Sequence, residues 1–307
     1  MNVGVIGYSE GDGHPYSFSA IINGYNFDKM KQSPYPGIAN YLSWQPFYNY
    51  GVGQMKVTHA WAQDKAIAQD IADCTSIDHV VDDYKSMTDD VDIVLVLRDD
   101  AESHYEITSH FLEKGKVVFV DKPLTKNLEE LRYYQPWLEK GKLMSCSGFR
   151  YYPGIQNRAR GILDKDDIIF SHSTSIIDWY RYGIHVLEGI SPLMGSDIEW
   201  VQNIGEEDNE VVRIAYRSGK NAIIQVNTKI GFVLRSAFYT GSGKHQIIDY
   251  DDNFSCFRGI LWNLHQQIMT GKPAINPKET IILMKTLYAG AYSRNHGGEK
   301  VYIDQLT

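Results

Sequence analysis

Two residues, Lys122 and His185, have the types and positions that acid–base chemistry needs. Lys122 and Pro123 follow an apolar run at 116–120, with Asp121 directly before them. A lysine at the end of a buried strand offers a fixed positive charge and hydrogen-bond donors to a reacting oxygen. A histidine titrates near neutrality and can accept a hydroxyl proton. A solvated lysine and a satisfied core histidine are the structural alternatives.

A glycine-rich segment follows the first apolar run of the chain, at 2–7. It contains Gly7, Ser9, Gly11 and Gly13. Such a turn between a strand and a helix lets backbone N–H groups approach a diphosphate. Ser9 stands where the usual G-x-G-x-x-G motif has its second glycine, so an ordinary strand-to-helix turn is the alternative. The position after an N-terminal buried strand favours the phosphate loop.

Apolar runs and helical patterns alternate from residue 1 to about 149. Strands are predicted at 2–7, 55–62, 91–97, 116–120 and 143–148, and helices at 65–74, 101–114 and 127–140. This alternation predicts right-handed β-α-β units and a doubly wound parallel sheet of Rossmann type. Such a sheet binds its ligand at the carboxyl ends of its strands, where the glycine-rich segment and Lys122 would both lie.

The second half of the chain has a different order of predicted strands and helices. Strands are predicted at 168–174, 198–204, 210–216, 222–229, 233–240 and 246–250, and helices at 152–163, 176–193, 254–270 and 278–292. Meandering strands with helices to one side predict an open, mostly antiparallel sheet. The predicted fold class is therefore α/β, with a dinucleotide-binding Rossmann domain at 1–149 and an α+β domain for substrate binding and oligomerisation at 150–307. An apolar sheet face must be covered, which predicts a homodimer or homotetramer.

Further residues at the predicted strand ends are candidate cofactor contacts. Gln63 and Asp64 follow the second strand, where a ribose-binding acid is expected. Asp64 comes two residues late, and a helix N-cap is its alternative role, so the choice between NAD and NADP stays open. Arg98 ends the third strand and is also a candidate. The aromatic segment 25–53 is too long for an ordinary loop, which predicts local folding or a function, with its rings either packed or lining a sugar site.

The composition limits the classes of partner. Lys and Arg number 30 against 38 for Asp and Glu, a formal net charge of −8, so a nucleic-acid partner is not expected. No apolar run is long enough to span a bilayer and the N-terminus does not resemble a signal peptide, which predicts a cytoplasmic protein without a membrane partner. The three cysteines, Cys74, Cys146 and Cys256, lack metal-ligand spacing, and no metal site is predicted.

The segment 91–155 resembles the glucose–fructose oxidoreductase/inositol dehydrogenase (Gfo/Idh/MocA) family. That family carries Glu-Lys-Pro after a later Rossmann strand, and this chain has Asp121-Lys122-Pro123. The family also has a histidine in the helix after the preceding strand, matched here by His104. The segment 149–153, Phe-Arg-Tyr-Tyr-Pro, resembles its entry to the second domain.

The resemblance implies roles for the matched residues. Lys122 and His185 would act at the substrate oxygen, and Asp121, Pro123 and His104 would contact the cofactor. Candidate substrate contacts are Lys122, Arg150, Tyr152, Arg181 and His185. Arg181 stands where the family's Asp-x-Gly-x-His motif has its aspartate, four residues before His185 and thus on the same face of a regular α-helix.

The function that the resemblance implies is hydride transfer between NAD or NADP and a hydroxyl or carbonyl carbon of a sugar, polyol or nucleotide-sugar. Two alternatives stay open: a lyase or glycosidase that retains its cofactor through transient oxidation, and a non-catalytic regulator that binds dinucleotide and sugar. The missing aspartate and the irregular glycine loop are consistent with the regulator.

Overall fold

The structure is a computed structural model that describes residues 1–156 and 167–306. It divides into two compact units of three segments each. The first comprises Met1–Leu124, Tyr133–Ser145 and Asn253–Ile275, and the second Thr125–Arg132, Cys146–Asp252 and Asn276–Thr307. The division of binding roles between 1–149 and 150–307 stays a prediction. Among the described residues, no helix is both long and apolar enough to cross a membrane.

The secondary structure follows most of the predicted pattern. The α-helices are α1 (His14–Asn23), α2 (Phe27–Gln32), α3 (Pro36–Ser43), α4 (Lys65–Thr75), α5 (His104–Glu113), α6 (Leu128–Glu139), α7 (Pro153–Gln156), α8 (Ile184–Met194), α9 (Asn253–Thr270) and α10 (Pro277–Asn295). The strands are β1 (Asn2–Ile6), β2 (Lys56–Trp61), β3 (His79–Val80), β4 (Ile93–Val96), β5 (Val117–Val120), β6 (Leu143–Ser145), β7 (Ile168–Ser175), β8 (Ile198–Asn203), β9 (Asn209–Tyr216), β10 (Asn221–Asn227), β11 (Arg235–Thr240), β12 (His245–Asp249) and β13 (Val301–Tyr302). Part of the predicted helix 152–163 lies outside the described residues.

The first unit is built on a six-stranded parallel sheet with the strand order β3-β2-β1-β4-β5-β6. This is the order of a doubly wound dinucleotide-binding fold, and it confirms the predicted Rossmann-type sheet. β1, β4 and β5 are almost completely buried, because helices cover both faces of a parallel sheet. Their carboxyl ends lie on one edge, at the point where the strand order reverses.

The long helix α9 belongs to this first unit although it comes from the second half of the chain. Phe257 of α9 contacts the rings of His14 and Phe18 on α1, with centroids 4.9 and 5.1 Å apart. Phe18 in turn stacks on Phe119 of β5. These aromatic contacts attach α9 to the Rossmann core, and local sequence pattern carries no information about them.

The aromatic segment 25–53 folds locally as α2 and α3, which is one of the two outcomes predicted for it. Asn26 caps α2 by accepting a hydrogen bond from the Lys29 amide at 3.0 Å. Tyr41 donates to the Ser17 hydroxyl at 2.6 Å, which ties α3 to α1. Other rings of the segment are exposed, namely Trp44, Phe47 and Tyr48.

The second unit contains a seven-stranded mixed sheet with the order β12-β11-β7-β10-β9-β8-β13. Only β7 and β10 pair in parallel and the other neighbours are antiparallel, which confirms the predicted mostly antiparallel sheet. Buried and accessible side chains alternate along β7 and β10. α8 and α10 pack on one face. The other face carries the cross-strand row Ile247, Ala237, His172, Ile223, Arg213 and Gln202, of which all but the buried Ala237 are at least partly accessible.

The predicted helix 176–193 differs from the structure in its first turn. Ile177 has a positive φ of 63° and Asp178 is extended, so the chain is not helical until Trp179. Residues Trp179–Gly183 then form a π-helical turn before α8. The Gly183 amide donates to the Asp178 carbonyl, five residues back, at 3.0 Å. This wider turn alters the spacing between Arg181 and the residues of α8.

Candidate active site

The loop after β1 leads into the N-terminus of α1 with a tight turn. The Asp12 amide donates to the Ser9 carbonyl at 3.0 Å, and Gly11 within this turn has φ +86°. At Gly13, a Cβ atom would lie 2.9 Å from Ile38 Cδ1, so any larger residue would have to displace the Ile38 side chain. Glycine at these two positions lets the loop close over the start of α1. Whether Gly7, Ser9, Gly11 and Gly13 contact a dinucleotide stays a prediction.

Ser9 connects this loop to the end of β4. Its hydroxyl donates to Asp99 Oδ1 at 2.7 Å and accepts from the Asp99 amide at 2.9 Å. Asp99 is buried. A serine in place of the second glycine therefore has a structural role, since it fixes the loop against the neighbouring strand end.

Gln63, at the end of β2, binds the same loop from the other side. Its Oε1 accepts from the Tyr8 amide at 3.0 Å, and its Nε2 donates to the Tyr8 carbonyl at 2.5 Å. Arg98 donates to Gln63 Oε1 at 2.8 Å and forms two further hydrogen bonds with the Asp100 carboxylate. Gln63 and Arg98 thus form one polar network beside the loop, where an adenosine ribose lies in folds of this type.

Asp64 is the N-cap of α4. Its Oδ1 accepts a hydrogen bond from the Ala66 amide at 2.8 Å. This is the alternative that the sequence offered for Asp64. An additional contact with the cofactor ribose stays a prediction.

Asp121, which follows β5, meets the start of α1. Its Oδ2 lies 2.5 Å from His14 Nδ1, and His14 Nδ1 lies 3.2 Å from Asp12 Oδ1. Asp12 and Asp121 are both buried. The three side chains therefore bring two carboxylates and an imidazole together at the carboxyl edge of the sheet.

The charges of this cluster shift one another's pKa values. Burial raises the pKa of Asp12 to about 7, because the opposing charges of His14 and Lys122 offset only part of the desolvation. Burial alone would also raise the pKa of Asp121, but His14 and Lys122 outweigh it and hold that pKa well below its usual range. Burial would lower the pKa of His14, and the two carboxylates outweigh burial and raise it. The cluster thus favours a charged imidazole between the carboxylates.

Lys122 follows Asp121 and is buried, with 3% of its surface exposed. Its amide donates to Asp121 Oδ1 at 2.8 Å, and the Lys122–Pro123 bond is cis. The solvated lysine that was the alternative is therefore excluded. Lys122 thus follows the carboxyl end of a central parallel strand, at the edge where folds of this class bind their ligands, and its contact with a ligand stays a prediction.

His104, at the start of α5, is completely buried. Its Nε2 lies 2.8 Å from the Arg98 carbonyl and its Nδ1 lies 3.1 Å from the Leu124 carbonyl. The ring therefore joins the loop after β4 to the turn after β5. The geometry gives His104 a structural role in shaping the crevice, and a direct contact with the cofactor stays a prediction.

His185 lies in the first turn of α8 and is buried in the second unit. Its Nδ1 is 2.7 Å from the Ser147 hydroxyl, and its ring packs against Phe149 and Tyr182. Ser147 Oγ also accepts from the Phe149 amide at 3.3 Å, which fixes the hydroxyl. These contacts hold the imidazole in one orientation, and its part in proton exchange with a substrate stays a prediction.

Arg150 is held by acidic partners of its own unit. Its Nε donates to Glu188 at 2.7 Å, its Nη1 to Glu279 at 2.9 Å and its Nη2 to the Ser191 hydroxyl at 3.0 Å. Burial opposes its charge, but Glu188 and Glu279 outweigh burial and raise the pKa of Arg150. Burial raises the pKa of Glu188 to about 6, although Arg150 opposes this. The network indicates a structural role, and the predicted substrate contact of Arg150 remains untested.

We expect the variant Arg150→Met to destabilise the second unit by about 3–5 kcal/mol, because it leaves Glu188 buried without its cation. Urea denaturation would measure this loss. Arg235→Met is the matched control, since Arg235 forms an exposed ion pair with Asp249 at 2.5 Å and exposed pairs contribute little. Equal stability of the two variants would contradict the prediction.

Tyr152 and Arg181 lie in different surroundings within the second unit. The Tyr152 hydroxyl donates to Asp251 at 2.8 Å. The Arg181 amide donates to Asp178 Oδ1 at 2.7 Å. A cavity of about 180 Å³ is lined by Lys126, Asp178, Trp179, Tyr180, Arg181, Glu210, Ala291 and Arg294. Arg181 lies in the π-helical turn that precedes α8, and whether it shares a face with His185 stays a prediction. The substrate contacts expected for Tyr152 and Arg181 stay predictions.

The strand order and the glycine-containing loop after β1 define a Rossmann-type dinucleotide-binding protein. Residues 36–148 match the Gfo/Idh/MocA family model, described as an oxidoreductase family with an NAD-binding Rossmann fold. Over these residues, which make up fewer than half of the chain, the protein is similar to the NAD-binding domain of that oxidoreductase family. This match confirms the resemblance that Asp121-Lys122-Pro123 and His104 indicated.

Solved structures share the fold over the whole chain. A probable dehydrogenase from Thermotoga maritima has a TM-score of 0.74 at 15% identity, and the alignment covers 100% of both chains. A myo-inositol 2-dehydrogenase from Lactobacillus plantarum has a TM-score of 0.76 at 16% identity, with 98% of this chain and 99% of that chain covered. A scyllo-inositol dehydrogenase from Lactobacillus casei, solved with NAD(H) and scyllo-inositol, has a TM-score of 0.73 at 15% identity and 99% coverage of both chains. No curated protein matches the sequence.

Proposed function

We propose that this protein is an NAD-dependent dehydrogenase that oxidises a CH–OH group of a sugar, polyol or nucleotide-sugar, or reduces the corresponding carbonyl. The observation that carries the proposal is the buried Lys122 at the carboxyl end of β5, in a sheet with dinucleotide-binding strand order. A lysine buried at this position can donate a hydrogen bond to a substrate oxygen and polarise it. The inositol dehydrogenases among the similar structures support a polyhydroxylated substrate.

The residues at the sheet edge fit a dinucleotide in most respects. The loop with Gly11 and Gly13 would take the diphosphate at the N-terminus of α1. Gln63 and Arg98 would lie on the adenosine side, and Lys122 with its neighbours Asp121 and Pro123 on the nicotinamide side. One feature fits poorly: the Asp12 carboxylate lies at the entrance to α1, where it would repel a diphosphate.

Bound NAD⁺ supplies the hydride acceptor for this reaction. In the oxidation direction, His185 would take the hydroxyl proton at Nε2 while the carbinol C–H leaves as hydride, which gives a carbonyl, NADH and a protonated imidazole. Ser147 and Phe149 would orient the ring. Lys122 would donate a hydrogen bond to the reacting oxygen and stabilise the negative charge that develops on it.

A binding and activity panel tests the proposal. Fluorescence titration of the full chain should show tighter binding of NADH than of NADPH. Among inositols, aldoses and nucleotide-sugars, at least one compound should give NADH from NAD⁺. Product formation without net NADH would instead indicate a lyase or glycosidase. Binding of NADH and a sugar without turnover of any compound would indicate the regulator, and no binding of either dinucleotide would contradict all three functions.

We also propose that the accessible face of the second-unit sheet pairs two copies of the chain in a homodimer or homotetramer. Ile223 lies in the middle strands of this face, and Ile247 on the edge strand is 55% exposed. Exposed apolar side chains on an uncovered sheet face commonly mark an interface, and here they lie among the polar residues His172, Arg213 and Gln202.

We expect Ile223→Glu to shift the assembly toward monomers, since it places a charge in the buried interface. Sedimentation velocity would measure the change. Met269→Glu is the control, because Met269 is 65% exposed on α9, which belongs to the first unit. An unchanged assembly of the Ile223→Glu protein would contradict the proposal.

A further inference from the structure

The side chains of Asp12, His14 and Asp121 form a cluster whose donor atoms suit a metal ion. One oxygen or nitrogen atom from each lies within 4.8 Å of the others. All three residues belong to the first unit and are at least partly buried. Acidic clusters on a protein surface are common and solvated, whereas this set of two carboxylates and an imidazole is largely enclosed.

One oxygen of this cluster has no partner. Asp12 is 5% exposed, and its Oδ2 is buried without any hydrogen bond. Its Oδ1 accepts from the His14 amide at 2.9 Å. A buried carboxylate oxygen without a donor is costly, and such an atom in a native fold points to an ion or ligand that is bound there.

Backbone contacts orient the remaining donors. Asp121 Oδ1 accepts from the Lys122 amide at 2.8 Å, which directs Oδ2 toward His14 Nδ1. The Asp12 carboxylate is likewise held through Oδ1, which accepts a hydrogen bond from the His14 amide. Asp121 Oδ2 pairs with His14 Nδ1 at 2.5 Å, so a metal ion would take the place of the proton that these two atoms share.

We propose that Asp12 Oδ2, His14 Nδ1 and Asp121 Oδ2 bind a divalent first-row transition metal ion at the N-terminus of α1. The proposal departs from the prediction of no metal site, which considered only cysteine spacing. A bound dication would also remove the repulsion between Asp12 and a dinucleotide diphosphate, since it places positive charge between them.

The donor set favours one class of ion. Imidazole nitrogen suits Mn²⁺, Fe²⁺, Co²⁺ and Zn²⁺, whereas Mg²⁺ and Ca²⁺ prefer oxygen ligands alone. Three protein ligands leave coordination positions for water or for a phosphate oxygen. The site therefore has the chemistry of an ion that bridges protein and diphosphate.

Titration of the full chain with Mn²⁺ alone tests the proposal. Protein stripped with chelator should bind one Mn²⁺ per chain by calorimetry, at least tenfold more tightly than Mg²⁺. Asp12→Asn and His14→Gln should each weaken Mn²⁺ binding at least tenfold. The first of these variants keeps the oxygen that accepts from the His14 amide, so the start of α1 is preserved. Asp90→Asn is the control, because Asp90 also lies near a histidine, His59, at 3.9 Å.

A second measurement needs no variant. Electron spin-echo modulation of Mn²⁺ bound to the unaltered protein should show a coordinated histidine nitrogen. Absence of that nitrogen, absence of Mn²⁺ binding, Mg²⁺ binding as tight as Mn²⁺, or equal Mn²⁺ binding by folded Asp12→Asn and His14→Gln proteins would each overturn the proposal. Neither measurement needs a substrate, so its outcome does not depend on whether the proposed dehydrogenase function is correct.

Discussion

Replacement of Lys122 by methionine is expected to lower kcat on the true substrate by about 10²–10³-fold, the usual loss when one donor to a developing oxyanion is removed. Methionine is nearly the same length and is apolar, so it fits a position that is 3% exposed. The change therefore removes the charge and the donors while it keeps the packing. Steady-state kinetics on the best compound of the panel would measure the loss.

The binding of NADH separates this effect from a general defect. Because Lys122 would act on the substrate oxygen, the dissociation constant of NADH should change far less than kcat. Lys65→Met is the matched control, since Lys65 forms an exposed pair with Asp82 at 2.6 Å. A Lys122→Met enzyme with an unaltered melting temperature and a nearly normal rate would remove the basis of the proposed function.

Replacement of His185 by glutamine is expected to lower kcat by about 10²–10⁴-fold, the range that a positioned general base contributes. Glutamine can still bond to Ser147 but does not accept a proton near neutral pH. Hydride transfer would then need solvent as the base. Single-turnover measurement of NADH formation would follow the chemical step directly, and the loss should shrink as pH rises, because hydroxide can replace the missing base.

Two further variants distinguish a base from a structural histidine. Ser147→Ala removes the 2.7 Å contact with Nδ1 and should lower kcat by a smaller factor, since the ring keeps its packing against Phe149. His245 lies on the edge strand β12, and the His245→Gln variant should leave kcat unchanged. If His185→Gln retained a normal rate and the normal pH profile, the residue would have no part in proton transfer.

Much of the fold was predictable because its signals are local. A parallel strand covered on both faces must be a nearly continuous apolar run, and 91–97 and 116–120 are such runs, as β4 and β5 confirm. The two-residue strands β3 and β13 were missed, since a segment that short has no periodicity. The π-helical turn was also missed, because apolar spacing does not distinguish a single π-helical turn from the start of an α-helix.

The amino-acid sequence by itself determined that a lysine follows a central strand of a Rossmann-type sheet, and that position was enough to indicate the family. It did not determine the partners of the neighbouring charges. His14 and Asp121 are 107 residues apart, and Arg150 and Glu279 are 129 apart. Side chains so distant along the chain meet only after helices and strands have packed. Tertiary structure alone therefore decided that Arg150 is engaged by carboxylates and that Asp121 shares His14 with Asp12.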